Sequence, residues 1–360
     1  MLSYFRKLDW FLIVLSILLV SFGLLSIYSS SSGRGDFLNF KKQIIFFAIG
    51  LLVMIFLGFF DWRVLRDSPY FILVLYIVCL FLLIGLLLFV SPTRGVRGWY
   101  KFGSLALDPV EMTKIVLIII LAKYFSMRHI EMYRMKHIIL SGFYVLVPTV
   151  LIFRQPNLGS ALMLIFLWIG ILIISGIKPR HFLLLTLCGI IIFMLGWFFF
   201  LKGYQKERIA AFFTPDVDPL GVNWSHTQSK IAIGSGGLFG KGFTNGSQAR
   251  YGFLPEPHTD FIFAAIAEEF GLVGVAVLFI VYLLLIWRII KIALKAPSNF
   301  PRLFATGFTI VLVSQIFINV GMNLGLLPVI GISLPFVSYG GSGLISLFAG
   351  LGILQSIKTH

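Results

Sequence analysis

Apolar runs of about 20 residues, the length a helix needs to cross a bilayer, recur along this chain between short polar connections. Ten such runs lie near 10–30, 43–60, 69–90, 109–127, 138–153, 157–176, 181–201, 260–287, 303–325 and 336–357. They predict a bundle of about ten transmembrane helices, with one long polar stretch, 202–257, between the seventh and the eighth. Arg6 and Lys7 precede the first run as they would a signal peptide. The run from Trp10 to Ile27 is too long for a signal core and no small-residue cleavage site follows it, so an uncleaved first helix is expected.

Composition agrees with the pattern. Fifty-nine per cent of the residues are hydrophobic, only 12% are charged, and mean hydropathy is +0.99, more than a water-soluble domain can hide in a core. The fold class expected is therefore an all-α polytopic membrane protein, read as a single domain over residues 1–360. Cys79 and Cys188 sit in separate apolar runs without metal-ligand spacing, which argues against a disulfide framework or a zinc site and for simple packing roles.

Charge sets the orientation. With the N-terminus cytoplasmic, the inner segments hold fifteen Lys and Arg and the short outer loops hold seven, the bias that fixes topology in membranes. Both termini are thus expected inside, and the net charge of +15 follows largely from this bias without a nucleic-acid partner. The long segment 202–257 then falls outside. Its six basic residues (Lys202, Lys206, Arg208, Lys230, Lys241, Arg250) against four acidic ones (Glu207, Asp216, Asp218, Glu256) suit an anionic ligand such as a lipid-linked phosphate, and a merely solvated loop would look the same.

Within that segment, Gly234-Ser-Gly-Gly-Leu-Phe-Gly-Lys-Gly242 imitates a phosphate loop. Ser235 stands where the first glycine of a Walker A sequence is required and Gly242 where its Ser or Thr is required, so ATP binding is not expected. The glycines permit tight turns and close backbone approach, as a rigid loop or as a phosphate contact.

Three groups of ionisable residues lie at or inside the apolar runs. Asp260 stands where the long loop returns to the membrane, and a carboxylate at such a boundary is costly without a job. His258 and Thr259 beside it would orient the carboxylate or contact a ligand. Glu111 and Lys114 are three apart on the fourth run, behind Asp108 and Pro109, and share a helix face, either as a self-neutralising ion pair or as the wall of a cavity. Glu268 and Glu269, about two turns beyond Asp260, would either cap or brace neighbouring helices or take part in catalysis, and the structural role is the one favoured.

A longer set of motifs carries a family resemblance. In order these are Arg97-Gly-Trp99, Pro109-x-Glu111-x-x-Lys114, Gln155-Pro-Asn-Leu-Gly-Ser160, Arg208-Ile with Asp218-Pro-Leu-Gly221, Gln228-Ser-Lys230 running on to Gly237, Pro255-Glu-Pro-His-Thr-Asp260-Phe261 and Pro335-Phe-Val-Ser-Tyr-Gly-Gly341. Together they resemble the SEDS family (shape, elongation, division and sporulation), polytopic glycosyltransferases of bacterial cell-wall synthesis, over nearly the whole chain. The stretch from Asn319 to Gly331 favours its elongation branch. Three positions depart from the family's usual pattern: Asp108-Pro-Val-Glu111 replaces Gln-Pro-Ser-Glu, Ser342-Gly343 replaces Ser or Thr-Ser, and Asn157 replaces an Asp. The last change removes an acid and argues against any mechanism that needs a carboxylate there.

The resemblance implies transfer of glycan from lipid II onto a second lipid-linked sugar at the outer face of the bacterial cytoplasmic membrane. Asp260 would match the family's essential acid, acting as general base or as ligand of a divalent metal, Mg or Mn. Glu111 and Lys114 would line the central cavity, and Arg97, Trp99, Arg208, Lys230 and His258 complete the expected substrate-binding residues. Arg208, Lys114 and Arg97 are the cations expected at the diphosphate, which leaves unprotonated if its charge is held. The partners implied are lipid II, membrane lipids and a class B penicillin-binding protein. Two other classes, a lipid flippase and a non-catalytic scaffold of a cell-wall complex, share the composition. A flippase would be built as two moving halves, and no convincing internal repeat is present.

Overall fold

The computed structural model describes residues 7–92, 95–103, 105–128, 135–199, 203, 206, 212 and 223–360. Each of the ten apolar runs is a helix there: α1 (Trp10–Arg34), α2 (Leu38–Phe59), α4 (Pro69–Phe89), α5 (Pro109–Ser126), α6 (Met135–Arg154), α7 (Leu158–Ile174), α8 (Pro179–Phe199), α11 (Ile262–Lys295), α12 (Asn299–Asn323) and α13 (Gly341–Thr359). A one-turn helix α3 (Arg63–Asp67) joins α2 to α4, and a small antiparallel hairpin, β1 (Tyr100–Phe102) with β2 (Leu105–Leu107), joins α4 to α5. The described part of the long polar segment 202–257 is not an open loop. It holds α9 (Trp224–Gly236) and the single turn α10 (Ser247–Arg250), both packed on the start of α11.

Eight of these helices are long and apolar enough to cross a membrane. α7 is apolar but shorter, and α5 carries Glu111, Lys114 and Lys123. Charge in a spanning helix must face protein or water instead of lipid. Accordingly α5 lies inside the bundle, with most of its residues buried against α12, α4 and α13, whereas α8 buries none of its own. The most extensive helix pair is α2 with α13. Gly50 of α2 meets the Phe348 ring, and Gly352 of α13 lies against Met54 and Leu57, so the two backbones approach as small residues permit.

Both chain ends lie at one end of the bundle. Asp9, buried as the N-cap of α1, accepts from Arg288 Nε of α11 at 2.7 Å and pairs with Lys358 Nζ of α13 at 3.3 Å, and its backbone exchanges hydrogen bonds with Gln355. The opposite end gathers the starts of α5, α7, α11 and α13 with the ends of α1, α6 and α12.

α11 is bent where its backbone leaves the helical region, at Gly271 (φ 63°). The bend strips the carbonyls of Glu268 and Glu269 and the N–H groups of Leu272 and Val273 of their usual helical partners, and buried backbone groups must be paired. The glycine loop after α9 supplies all four: Lys241 N and Gly242 N donate to Glu268 O and Glu269 O at 3.0 Å each, while Gly237 O and Leu238 O accept from Leu272 N (3.0 Å) and Val273 N (3.1 Å). A Cβ on Gly240 would fall 2.1 Å from Glu269 O, so the insertion needs glycine. Lys241, the lysine of the false phosphate loop, pairs with buried Glu268 at 2.7 Å, and Glu269 accepts from Ser29 of α1. Both glutamates therefore brace, as expected, and the glycine loop is a rigid plug.

Candidate active site

Asp260 sits half-buried two residues before α11. Its backbone is held from α12, where Asn319 and Asn323, four apart on one face and both fully buried, aim their side chains at the same carbonyl. Asn319 Nδ2 donates to Asp260 O at 3.1 Å and Asn323 Nδ2 at 2.9 Å. Asn323 Oδ1 in turn accepts from Ala264 N (3.2 Å), one of the unpaired donors at the head of α11, and Asn319 Nδ2 also reaches Ile332 O at 2.8 Å. Ser229 of α9 donates to Asn323 O at 2.8 Å. Thus α9, α12 and the segment before α13 position one carboxylate.

The residues on either side are fixed in the same manner. His258 Nδ1 lies 2.9 Å from Ser30 Oγ of α1, and His258 O accepts from Tyr339 N at 2.8 Å. Thr259 O accepts from Ser338 Oγ at 2.7 Å. Gln43, buried in α2, clamps that segment from the far side, donating to Ser338 O (3.2 Å) and accepting from Gly340 N (3.3 Å). Gly331 (φ 67°) leaves open, beside the carboxylate, the space a Cβ would occupy 3.6 Å from Asp260 Oδ2.

The second cluster begins where that segment turns into α13. Asp108 N donates to Ser342 Oγ at 3.0 Å, and the Glu111 carboxyl packs where a Cβ on Gly343 would lie 3.6 Å away, in the first turn of α13. A helix N-terminus favours such negative charge. Lys114, only 4% exposed, donates to Glu111 Oε1 at 2.7 Å. Asp108 caps α5 by accepting from Val110 N at 2.9 Å. Burial, then the neighbouring Glu111, pushes its carboxyl up to about 7. Residues 338–343 therefore touch both clusters, binding the surroundings of Asp260 on one side and Asp108 and Glu111 on the other.

The other expected residues fall as follows. Lys230 is exposed on α9, with its ammonium stem laid over Gly325, two residues beyond Asn323. His226, a turn earlier, is buried, and burial followed by the Lys230 charge lowers its imidazole pKa, favouring the neutral form. Arg97 donates through Nη1 to Leu87 O at 2.6 Å and through its backbone N to Gln155 O at 3.2 Å, so it ties the end of α4 to the end of α6. Its guanidinium does not join the contacts around Asp260 or Glu111 described above. Trp99 is half-buried just before β1. Asn157 accepts from Ser160 N at 3.2 Å as the N-cap of α7, a task Asn and Asp perform about equally, which accounts for that departure. Arg208 lies outside the described residues.

Asn319, Asn323, Gln43, Ser30 and Ser338 carry the support of this site and were not singled out for that role from the sequence. The available signal was amides inside apolar runs, two of them at a four-residue interval, since buried amides must find partners.

Comparison with known proteins bears on this arrangement. The model of the FtsW, RodA and SpoVE family, described as cell cycle proteins, matches residues 8–360. The chain belongs to the FtsW/RodA/SpoVE family. The peptidoglycan glycosyltransferase MrdB of Escherichia coli K12 is 37% identical, over 98% of this chain and 94% of the relative. Stage V sporulation protein E of Bacillus subtilis is 33% identical over 98% and 97%. Among solved structures, a chain of a peptidoglycan synthase complex, studied for its coordination of polymerization and crosslinking, superposes with a TM-score of 0.81 at 32% identity, covering 98% and 97%. The Thermus thermophilus rod shape determining protein RodA gives 0.70 at 30% identity, covering 98% and 96%. The sequence resemblance to the SEDS family is thereby confirmed, as are the all-α polytopic fold and the multi-pass membrane placement. FtsW/RodA/SpoVE membership also gives the shared scaffold a context: the polar end of the bundle, with Asp260 and the 338–343 segment, belongs to a fold seen in a peptidoglycan synthase.

Proposed function

We propose that this chain is a peptidoglycan glycosyltransferase that polymerises lipid II into glycan strands at the outer face of the bacterial cytoplasmic membrane during cell elongation, with Asp260 at the reacting centre. The observation that carries this is the convergence on Asp260. Contacts from α1, α9, α12 and the segment before α13 hold a single half-buried carboxylate and its two neighbours at one end of a membrane bundle, an expense of buried polar groups that structural packing alone does not require.

In a single displacement, the acceptor sugar hydroxyl forms the new glycosidic C–O bond, its proton passes to the Asp260 carboxylate, and the donor's C–O bond breaks with the electron pair leaving on the lipid diphosphate. Transfer from a diphosphate needs no second acid, provided positive charge meets the leaving group. Lys230 supplies it on this wall, and Lys114 does so by exchanging its Glu111 partner for phosphate oxygens. Arg97, already engaged by Leu87 O, serves the frame.

A divalent ion, Mg or Mn, fits the donor set. Among the described residues no group of three His, Cys, Asp or Glu forms a cage. One carboxylate, completed by substrate phosphates and water, is how Mg is commonly held. Asp260, with the open space beside Oδ2, would hold it, and when bound it would neutralise diphosphate charge. The Lys and Arg bias supports a cytoplasmic position for both termini, and a class B penicillin-binding protein is the partner, docking by its transmembrane helix.

The test uses purified chain, alone and with its class B partner, supplied with labelled lipid II across a titration of Mg or Mn. Polymer from the parent and none from folded Asp260→Ala and Asp260→Asn is expected. Polymer persisting in both variants would remove Asp260 from the centre. Lipid II scrambling across vesicles without polymer would instead favour a flippase.

A further inference from the structure

Away from the Asp260 end, a cavity of about 190 Å³ opens between α4, α5 and α6, lined by Ile72, Leu73, Tyr76, Lys123, Tyr124, Arg128 and their neighbours. It belongs to the end where the termini meet, because the chain entering α4 is tied there by Arg63 Nη2 donating to His360 O at 3.1 Å. Ile120, Lys123 and Tyr124 share one face of α5 and point into it. Its mouth is membrane-facing: Leu73 is half exposed on α4, next to Tyr70, Phe71 and Val74, which are exposed as well.

The lining is mostly apolar, yet Lys123 Nζ is buried without a hydrogen-bond partner. A buried ammonium left unpaired is costly. No neighbouring group hydrogen-bonds it. Asp67 is the carboxylate nearby and attracts it only through space, while its oxygens accept from Arg66 at 2.6 and 3.0 Å. Tyr124 OH is committed to His137 Nδ1 at 2.8 Å, and Tyr76 OH donates to Tyr144 O at 2.8 Å. Arg128 adds a second positive charge, its guanidinium carbon lying over the Tyr124 ring, 4.7 Å from the ring centre.

A slot with two cations at its head and an apolar, membrane-facing mouth matches an anionic amphiphile. The geometry points to a binding site for the headgroup of an anionic phospholipid of the cytoplasmic leaflet: the phosphate sits on Lys123 and Arg128, and the acyl chains leave over Leu73 onto the outer faces of α4 and α6. Charge-assisted hydrogen bonds to phosphate supply the affinity. Nothing in this site takes part in the sugar transfer proposed above.

Native mass spectrometry of the full-length protein in detergent, titrated with phosphatidylglycerol, phosphatidylcholine or inorganic phosphate, tests it. Phosphatidylglycerol should be retained selectively over phosphatidylcholine, and inorganic phosphate should neither bind at comparable concentration nor displace it. Lys123→Gln with Arg128→Gln should weaken phosphatidylglycerol by about ten-fold or more, the worth of losing charged hydrogen bonds, and Lys123→Arg should keep it. Unchanged phosphatidylglycerol affinity in the folded double variant, or equal affinity for phosphatidylcholine, overturns the site. Displacement by inorganic phosphate overturns the lipid in favour of a free anion. Should the double variant unfold, Leu73→Trp keeps both cations and narrows the mouth; retention of full phosphatidylglycerol affinity there overturns the proposal equally.

Discussion

Removing the amide of Asn323 separates positioning of Asp260 from the chemistry proposed for it. In Asn323→Ala, Asp260 O keeps its bond from Asn319 but loses the one at 2.9 Å, and Ala264 N loses its acceptor in a fully buried place. A buried donor left unpaired costs about 1–3 kcal/mol and a lost hydrogen bond about 1 kcal/mol. The sum, about 2–4 kcal/mol, should appear as a lower thermal midpoint of a protein that still folds. Activity should fall further than stability accounts for, because displacement of a reacting group by about 1 Å costs on the order of 10²-fold in rate. Asn319→Ala alone leaves the complementary bond from Asn323. The double variant leaves Asp260 O with neither amide, so its loss in polymerisation rate should exceed the product of the single losses, as expected for partners on one acceptor. The assay is glycan formed from labelled lipid II, measured below each variant's midpoint, with bound substrate measured separately. Unchanged turnover in folded Asn323→Ala, or single losses that simply multiply, would refute the claim that these amides act through Asp260.

The other predictions concern the second cluster and the open space beside Asp260. Glu111→Gln leaves Lys114 buried without its counter-charge and should cost up to about 3–5 kcal/mol, and adding Lys114→Met should recover much of the midpoint without recovering polymerisation. Gly331→Ala must adopt a φ of 67°, at about 1–2 kcal/mol, and sets a methyl 3.6 Å from Asp260 Oδ2, so activity should fall while the protein remains folded. Burial and the neighbouring Glu111 push the Asp108 carboxyl up to about 7 in the folded protein, above the ordinary carboxylate range it keeps when unfolded. Between the two the unfolded chain ionises first, so its contribution to stability falls as pH rises through that window and is level above it. Thermal midpoints taken at both ends of the window should differ less in Asp108→Asn than in the parent.

Much of the architecture was legible in the chain because bilayer thickness dictates run length, and every expected span has its helix. Asp260, Glu111 and Lys114 stood out because ionisable groups are rare in such runs, whereas the glycine loop stayed open between a rigid turn and a phosphate contact until its backbone was seen to pair with Glu268 and Glu269. Individual contacts were not legible. Whether Lys114 is paired, that Arg97 turns to Leu87 O, and that Asn157 is a helix cap depend on partners 3 to 10 residues away in space-filling detail. More distant still are the supports of Asp260. Ser30, Gln43, Asn323 and Ser338 come from four separate elements, with Gln43 and Ser338 295 residues apart in sequence. A hydropathy pattern encodes which face of each helix avoids lipid, but not which buried amide meets which carbonyl. Only packing of the bundle decides that, because a hydrogen bond requires positions correct to a few tenths of an ångström, and those are set by all the helices together.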